Sequence, residues 1–194
     1  MMTAPISRGL AAICLSAALI LGTGAEVFAQ GARRPAQPAA SAAPASGPGG
    51  SSLLASFGDW GVYTAQSGRS KICYALSQPK DRLPKGLNRD PAYVFVSFRP
   101  AENVRNEVAF VMGFSVKEGA PAQATIGGTS YELLTKAQNA WLKNPAEEAQ
   151  AIATLSKGQS LSVKSQSLRG NSLTDNYSLS GFSAALDRAR KECQ

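Results

Sequence analysis

Asp90, Glu102, Glu107 and Asp175 are the residues of this sequence best suited to covalent chemistry. Two carboxyls about 5–9 Å apart in a cleft divide acid and base, or acid and nucleophile, work in glycosidase-like hydrolysis. They would have to act without histidine, which the chain lacks entirely. That absence removes the Ser-His-Asp and Cys-His arrangements, His-ligated zinc and the usual general base near neutral pH. No acidic run has calcium-loop spacing, and Gly127-Gly128 lacks the strand-to-helix setting of a phosphate loop. Catalytic, metal-binding and cofactor-binding residues are therefore expected to be absent, and the chain is read as non-enzymatic.

A second constellation is Ser167-Leu168-Arg169-Gly170 with Asp175 and Tyr177, which puts a cation, a carboxylate and a phenol around one turn. It reads either as a small polar ligand site or as a hairpin fixed by an Arg169–Asp175 ion pair. The second is the commoner use of such spacing and is the expectation, with the pair partly buried. Gly58-Asp59-Trp60 reads as a turn that feeds a strand and anchors Trp60 in the core, rather than as an exposed ligand platform. Trp141 is expected to pack at a strand–helix junction. Lys80 to Asp90 is the longest irregular stretch, a binding element or a solvated loop.

The elements that must carry these residues are mostly strands. Val108, Phe110, Met112, Phe114 and Val116 alternate with smaller or polar residues, the signature of a strand with one buried face. Tyr93–Phe98 is apolar on both parities, and Ile72, Tyr74 and Leu76 mark another strand with Cys73 on its opposite face. Ala124/Ile126 and Tyr131/Leu133 flank Gly127-Gly128 as a tight hairpin. Further strands are expected at Trp60–Tyr63, Leu161–Leu168 and Leu173–Leu179. Two helices interrupt them. Asn144-Pro145-Ala146-Glu147 is a start signal and Lys157-Gly158 a stop, while Phe182, Ala185, Leu186, Ala189 and Cys193 repeat at helical spacing. The fold class that follows is a mostly β, antiparallel sandwich or barrel-like domain with two short helices, one of them C-terminal.

The N-terminal segment speaks to location. Arg8 precedes an uncharged apolar run from Gly9 to Leu21, and Val27-Phe28-Ala29 suits signal-peptidase cleavage, so residues 1–29 read as a signal peptide. The run is too short for a spanning helix, and no transmembrane segment is expected in the mature chain. Residues 30–52 hold Ala, Pro, Gly and Ser with two arginines and no larger apolar side chain, which is the composition of a disordered tether. Residues 53–194 then form one folded domain. Cleavage removes Cys14 and leaves Cys73 and Cys193, an even count that in an oxidising compartment predicts one disulfide. With 20 Lys and Arg against 13 Asp and Glu, the chain is basic. The charges are scattered, which allows attraction to an anionic envelope polymer but gives no nucleic-acid motif.

Several of these stretches together resemble the invasion-associated locus B family. They are Phe57-Gly58-Asp59-Trp60-Gly61-Val62-Tyr63, Arg89-Asp90-Pro91-Ala92-Tyr93, Arg99-Pro100-Ala101-Glu102, Asn106-Glu107-Val108, Ala140-Trp141 and Lys157-Gly158. The series continues with Leu168-Arg169-Gly170, Asp175, Tyr177-Ser178-Leu179-Ser180-Gly181-Phe182 and Cys193. The resemblance implies an exported, mostly β domain without a known cofactor or agreed catalytic residues. The family takes its name from entry into red blood cells by one pathogenic member. Many members carry extra cysteines where this chain has Tyr63 and the Ala137–Ala140 segment. The expectation is an exported, periplasmic or surface accessory protein, binding an envelope or host-surface protein. The alternative is a carboxylate-based hydrolase of envelope polysaccharide.

Overall fold

The computed structural model describes residues 50–194, so the expected signal peptide and residues 30–49 of the expected tether lie outside the described residues. The strands are β1 (Ser52–Phe57), β2 (Trp60–Ser67), β3 (Ser70–Ser77), β4 (Asp81–Leu83), β5 (Tyr93–Arg99), β6 (Val104–Val111), β7 (Gln123–Ile126), β8 (Thr129–Lys136), β9 (Asn139–Leu142), β10 (Ser160–Gln166) and β11 (Ser172–Ser178). The helices are α1 (Glu148–Lys157) and α2 (Phe182–Glu192). Folding starts slightly before the expected boundary: Ser51 is buried and Ser52 pairs with Thr64.

All 11 strands belong to one antiparallel sheet, in the order β1-β2-β3-β5-β6-β9-β8-β7-β10-β11-β4. The sheet turns a corner within β8, whose first half pairs with β7 and whose second half pairs with β9. A strand that changes partners in this way lets a sheet fold over its own core. The curl brings distant strands together. Trp60 Nε1–H donates to the Ser178 carbonyl at 3.0 Å and the Asp59 N–H donates to the Ser180 carbonyl at 3.0 Å, so the start of β2 meets the end of β11. The result is a mostly β, barrel-like domain with a C-terminal helix.

Inward residues of both halves form one core, from Val62, Val96 and Phe110 to Ile126, Leu161 and Tyr177. Both helices contribute to it, α1 with Ala151 and Leu155, α2 with Phe182, Ala185 and Leu186. Trp60 is 1% exposed and meets Phe182 edge-on at 4.8 Å, so it is a core anchor. Cys73 on β3 is joined to Cys193, just past α2, with Cα atoms 5.8 Å apart. Asn144 Oδ1 accepts the Ala146 N–H at 3.1 Å. It caps a 3-10 turn over Pro145–Glu147 that runs into α1. Gly127 and Gly128, at φ 54° and 89°, make the two-residue turn that joins β7 to β8.

Three strands escape the sequence pattern because they are short or at an edge: β1, β4 and β9. Trp141 accordingly lies within β9, opposite Ala109 and Leu134, and not at a strand–helix junction. Ala140 and Leu142 take the inward positions of β9, which turns Trp141 outward and half-buried. On that outer face the ladder aligns Leu76, Phe95, Ala109, Trp141 and Leu134 in one apolar row.

Candidate functional site

The alternation that begins in β6 outlasts the strand. β6 ends at Val111, and residues 112–117 continue as a strap between two turns. On one side the Met112 and Val116 N–H groups donate to the Gln138 and Ala137 carbonyls, each at 2.8 Å. On the other, Gly113, Ser115 and Gln166 carbonyls accept from Asp90, Leu168 and Lys117 N–H at 3.0, 2.8 and 2.9 Å. Met112 and Val116 still point inward, so the period survives while regular pairing does not. Gly113 marks the break: its φ is 69°, and a Cβ there would collide with the Asp90 carbonyl.

Beside the strap, Asp175 alternates with Leu173 and Tyr177 on the inward face of β11 and is 2% exposed. A carboxylate in that position needs cations, because an unpaired buried charge is far costlier than a paired one. Arg82, directly opposite it on β4, supplies a fork: Nε to Oδ1 at 3.1 Å and Nη2 to Oδ2 at 3.3 Å. Arg89 Nη1 donates to the same Oδ1 at 3.1 Å, from a side chain only 6% exposed. Arg82 also donates to the carbonyls of Asp90 (2.7 Å) and Met112 (2.9 Å). The triad therefore fastens the Lys80–Asp90 segment to both the strap and β11. Burial, and after it the Asp175 charge, push the neighbouring Tyr177 phenol far up in pKa, so it remains neutral.

The expected Arg169–Asp175 pair does not form. Asp175 stands opposite Val163, three residues beyond the start of β11, whereas Arg169 sits exposed in the turn past the end of β10. The ladder register separates them, and Arg82 and Arg89 take the place given to Arg169. Both were hidden in a stretch that looked irregular. The signal that could have found them was Asp175 itself, a carboxylate at an inward strand parity between Leu173 and Tyr177.

The segment, the strap and the β10–β11 turn enclose a cleft of about 460 Å³. Phe114 lies in it, Leu87 and Leu168 stand exposed beside it, and Asn88, Gln138 and Asn171 add side-chain amides. Arg169 and Asp90 also line it, and among the described residues neither side chain has an ionic partner.

The other candidate carboxylates lie elsewhere. Glu102 and Glu107 both bind Arg99, at 2.8 Å to Nε and 2.7 Å to Nη1. Glu107, then Glu102, raise the Arg99 pKa above its already high value. Asp59 pairs with Lys80, whose hydrogen bond lowers its carboxyl below the usual range. Glu148, at the start of α1, is shifted the other way: burial, then the Glu107 charge, push it up. A carboxyl raised by folding favours the native state while protonated and weakens it once pH passes the raised value. Glu148→Gln is thus expected to raise the melting temperature at neutral pH and to make no difference below about pH 4, where the glutamate is protonated in both states. The favourable charge of a first-turn glutamate keeps the gain within about 1 kcal/mol. Thermal melts across pH check it, and an equal effect at both ends would refute it.

Among the described residues no group of three or more His, Cys, Asp or Glu is placed to hold a metal ion, and no helix is long and apolar enough to cross a membrane. No curated protein and no solved structure matches the chain significantly. The model of the Invasion associated locus B (IalB) protein family matches residues 60–190, a span from the buried Trp60 through the arginine-clasped Asp175 and most of α2, and the chain belongs to that family.

Proposed function

We propose that the protein is an exported accessory component of the envelope or cell surface that works by binding a protein or surface, without covalent chemistry. The observation that carries this reading is the fate of the candidate carboxylates. Three of the four, Glu102, Glu107 and Asp175, are each held by arginine, which occupies the lone pairs an acid, base or nucleophile would use and leaves Asp90 without a second carboxylate to share the work. The disulfide supports an oxidising compartment. The outer apolar row, partly buried along its length and ending at Leu134, itself 59% exposed, supports contact with a partner at that end.

A photo-crosslinking residue replacing Leu134 is expected to give a discrete adduct in intact envelopes, and the same residue replacing the exposed Lys157 is expected to give none. Equal labelling at both positions would count against a specific partner. One feature favours hydrolysis instead: Glu148, raised by burial and by the Glu107 charge, and Glu107, bound to Arg99, are two carboxyls in unequal environments, the kind of difference that divides acid and base roles. Release of reducing ends from envelope polysaccharide, lost on Glu148→Gln, would establish that reading and overturn the first.

A further inference from the structure

Among the described residues, Arg169 and Asp90 are opposite charges without an ionic partner on one cleft of mixed polar and apolar lining. Arg89, beside Asp90, is spent on Asp175, so its charge is unavailable to a ligand. The lining thus presents one guanidinium and one carboxylate around Leu87, Phe114, Leu168 and Leu173. A phosphate or other multiply charged anion drawn to Arg169 would also meet Asp90, which disfavours it. A lone apolar molecule would leave both charges unanswered.

The strap sets the spacing. Asp90 is anchored by its N–H on Gly113 and Leu168 by its N–H on Ser115, so the two attachments are two strap residues apart. The fully extended reach of two residues is about 7 Å and the bend at Gly113 shortens it, so the segments that carry Asp90 and Arg169 stand within the span of a short peptide. The guanidinium fork suits a terminal carboxylate, Asp90 suits an ammonium, and Asn88, Gln138 and Asn171 can donate to and accept from a peptide bond. A cleft of about 460 Å³ is within the usual range for small-ligand sites.

We propose that this cleft binds a short zwitterionic peptide, of about two residues with apolar side chains, its carboxylate on Arg169 and its ammonium on Asp90. The triad of Asp175, Arg82 and Arg89 presets the wall that carries Asp90, so little ordering is left for the ligand to impose.

The test uses the isotopically labelled protein and three probes: Leu-Leu, N-acetyl-Leu-Leu and Leu-Leu amide. Leu-Leu is expected to shift the backbone amides of Ser115, Leu168 and Asn171 at millimolar concentration. Each capped probe should bind about tenfold more weakly, the loss of one charged hydrogen-bonded contact. Arg169→Ala should weaken Leu-Leu about tenfold and leave the amide unaffected, and Asp90→Asn should do the same to Leu-Leu while leaving the N-acetyl peptide unaffected. Both substitutions are at exposed side chains, and Asn keeps the backbone bonds of Asp90, so unchanged melting temperatures confirm the fold. Three results overturn the proposal: no shift at those amides, capped probes binding as well as the free peptide, or variants that weaken all three probes alike.

Discussion

Asp175→Ala is expected to lower stability by about 3–5 kcal/mol, because it strands the Arg89 guanidinium, 6% exposed, and strips the fork from Arg82, 21% exposed. The carboxylate takes three hydrogen bonds from Arg82 and Arg89, and Arg82 joins β4 to the strap through the Met112 carbonyl and to the end of its own segment through the Asp90 carbonyl. Its loss should therefore loosen the wall of the cleft as well as the hairpin. Urea unfolding measures the first effect, and hydrogen exchange at Asp90, whose N–H is bonded to Gly113, measures the second. Arg169→Ala serves as the control. It is exposed and outside the triad, so it should change stability by less than about 0.5 kcal/mol and add to Asp175→Ala without coupling. Arg82→Ala should couple strongly to Asp175→Ala in the same cycle. A loss below about 1 kcal/mol for Asp175→Ala would mean that the guanidiniums find water in its place.

Removing the Cys73–Cys193 bond is the second large perturbation. The two cysteines are 120 residues apart, so the cross-link closes most of the folded domain into a loop. In the chain-entropy model that restricts the unfolded chain enough to stabilise the fold by about 4–5 kcal/mol. The loss should be felt first at α2, whose last turn is held to β3 by this bond and by the Lys71–Glu192 ion pair. Cys73→Ser with Cys193→Ser, or reduction, is expected to lower the melting temperature by about 8–20 °C, at roughly 2–4 °C per kcal/mol for a domain of this size. Alkylation of the unreduced protein should leave both residues unlabelled. Full labelling, or a melting temperature indifferent to reductant, would show that the bond is not made.

Much of this was legible in the residues. Period-2 alternation located β3, β6, β10 and β11, because a strand with one face in a core writes that face into every second residue, and β5 showed as a run apolar on both parities. Asn144-Pro145 and Lys157-Gly158 bracketed α1, since capping groups act on their own chain. The glycine pair named the β7–β8 turn for the same reason: the requirement for positive φ is local. Of the strands that escaped, β1 lies at the sheet edge, and β4 and β9 are three and four residues long, too short for a period to show. The existence of the latter two rests on neighbours distant in sequence, β11 for one and β6 and β8 for the other.

The candidate site was legible in part. Arg169, Asp175 and the Lys80–Asp90 stretch were each visible as chemistry-bearing, yet which of them meet was not. Asp175 had a cation six residues away in sequence and took two from 93 and 86 residues away instead. Sequence alone determined the mostly β class, the helix boundaries and the two cysteines available for one bond, because each follows from local conformation or from composition. Only the tertiary structure decided that a buried carboxylate would claim Arg82 and Arg89, leave Arg169 and Asp90 unpaired, and turn an irregular stretch into the wall of a cleft. Pairing of that kind depends on how a curled sheet brings β4, β11 and the strap together, and register between distant strands is set by the packing of the whole core.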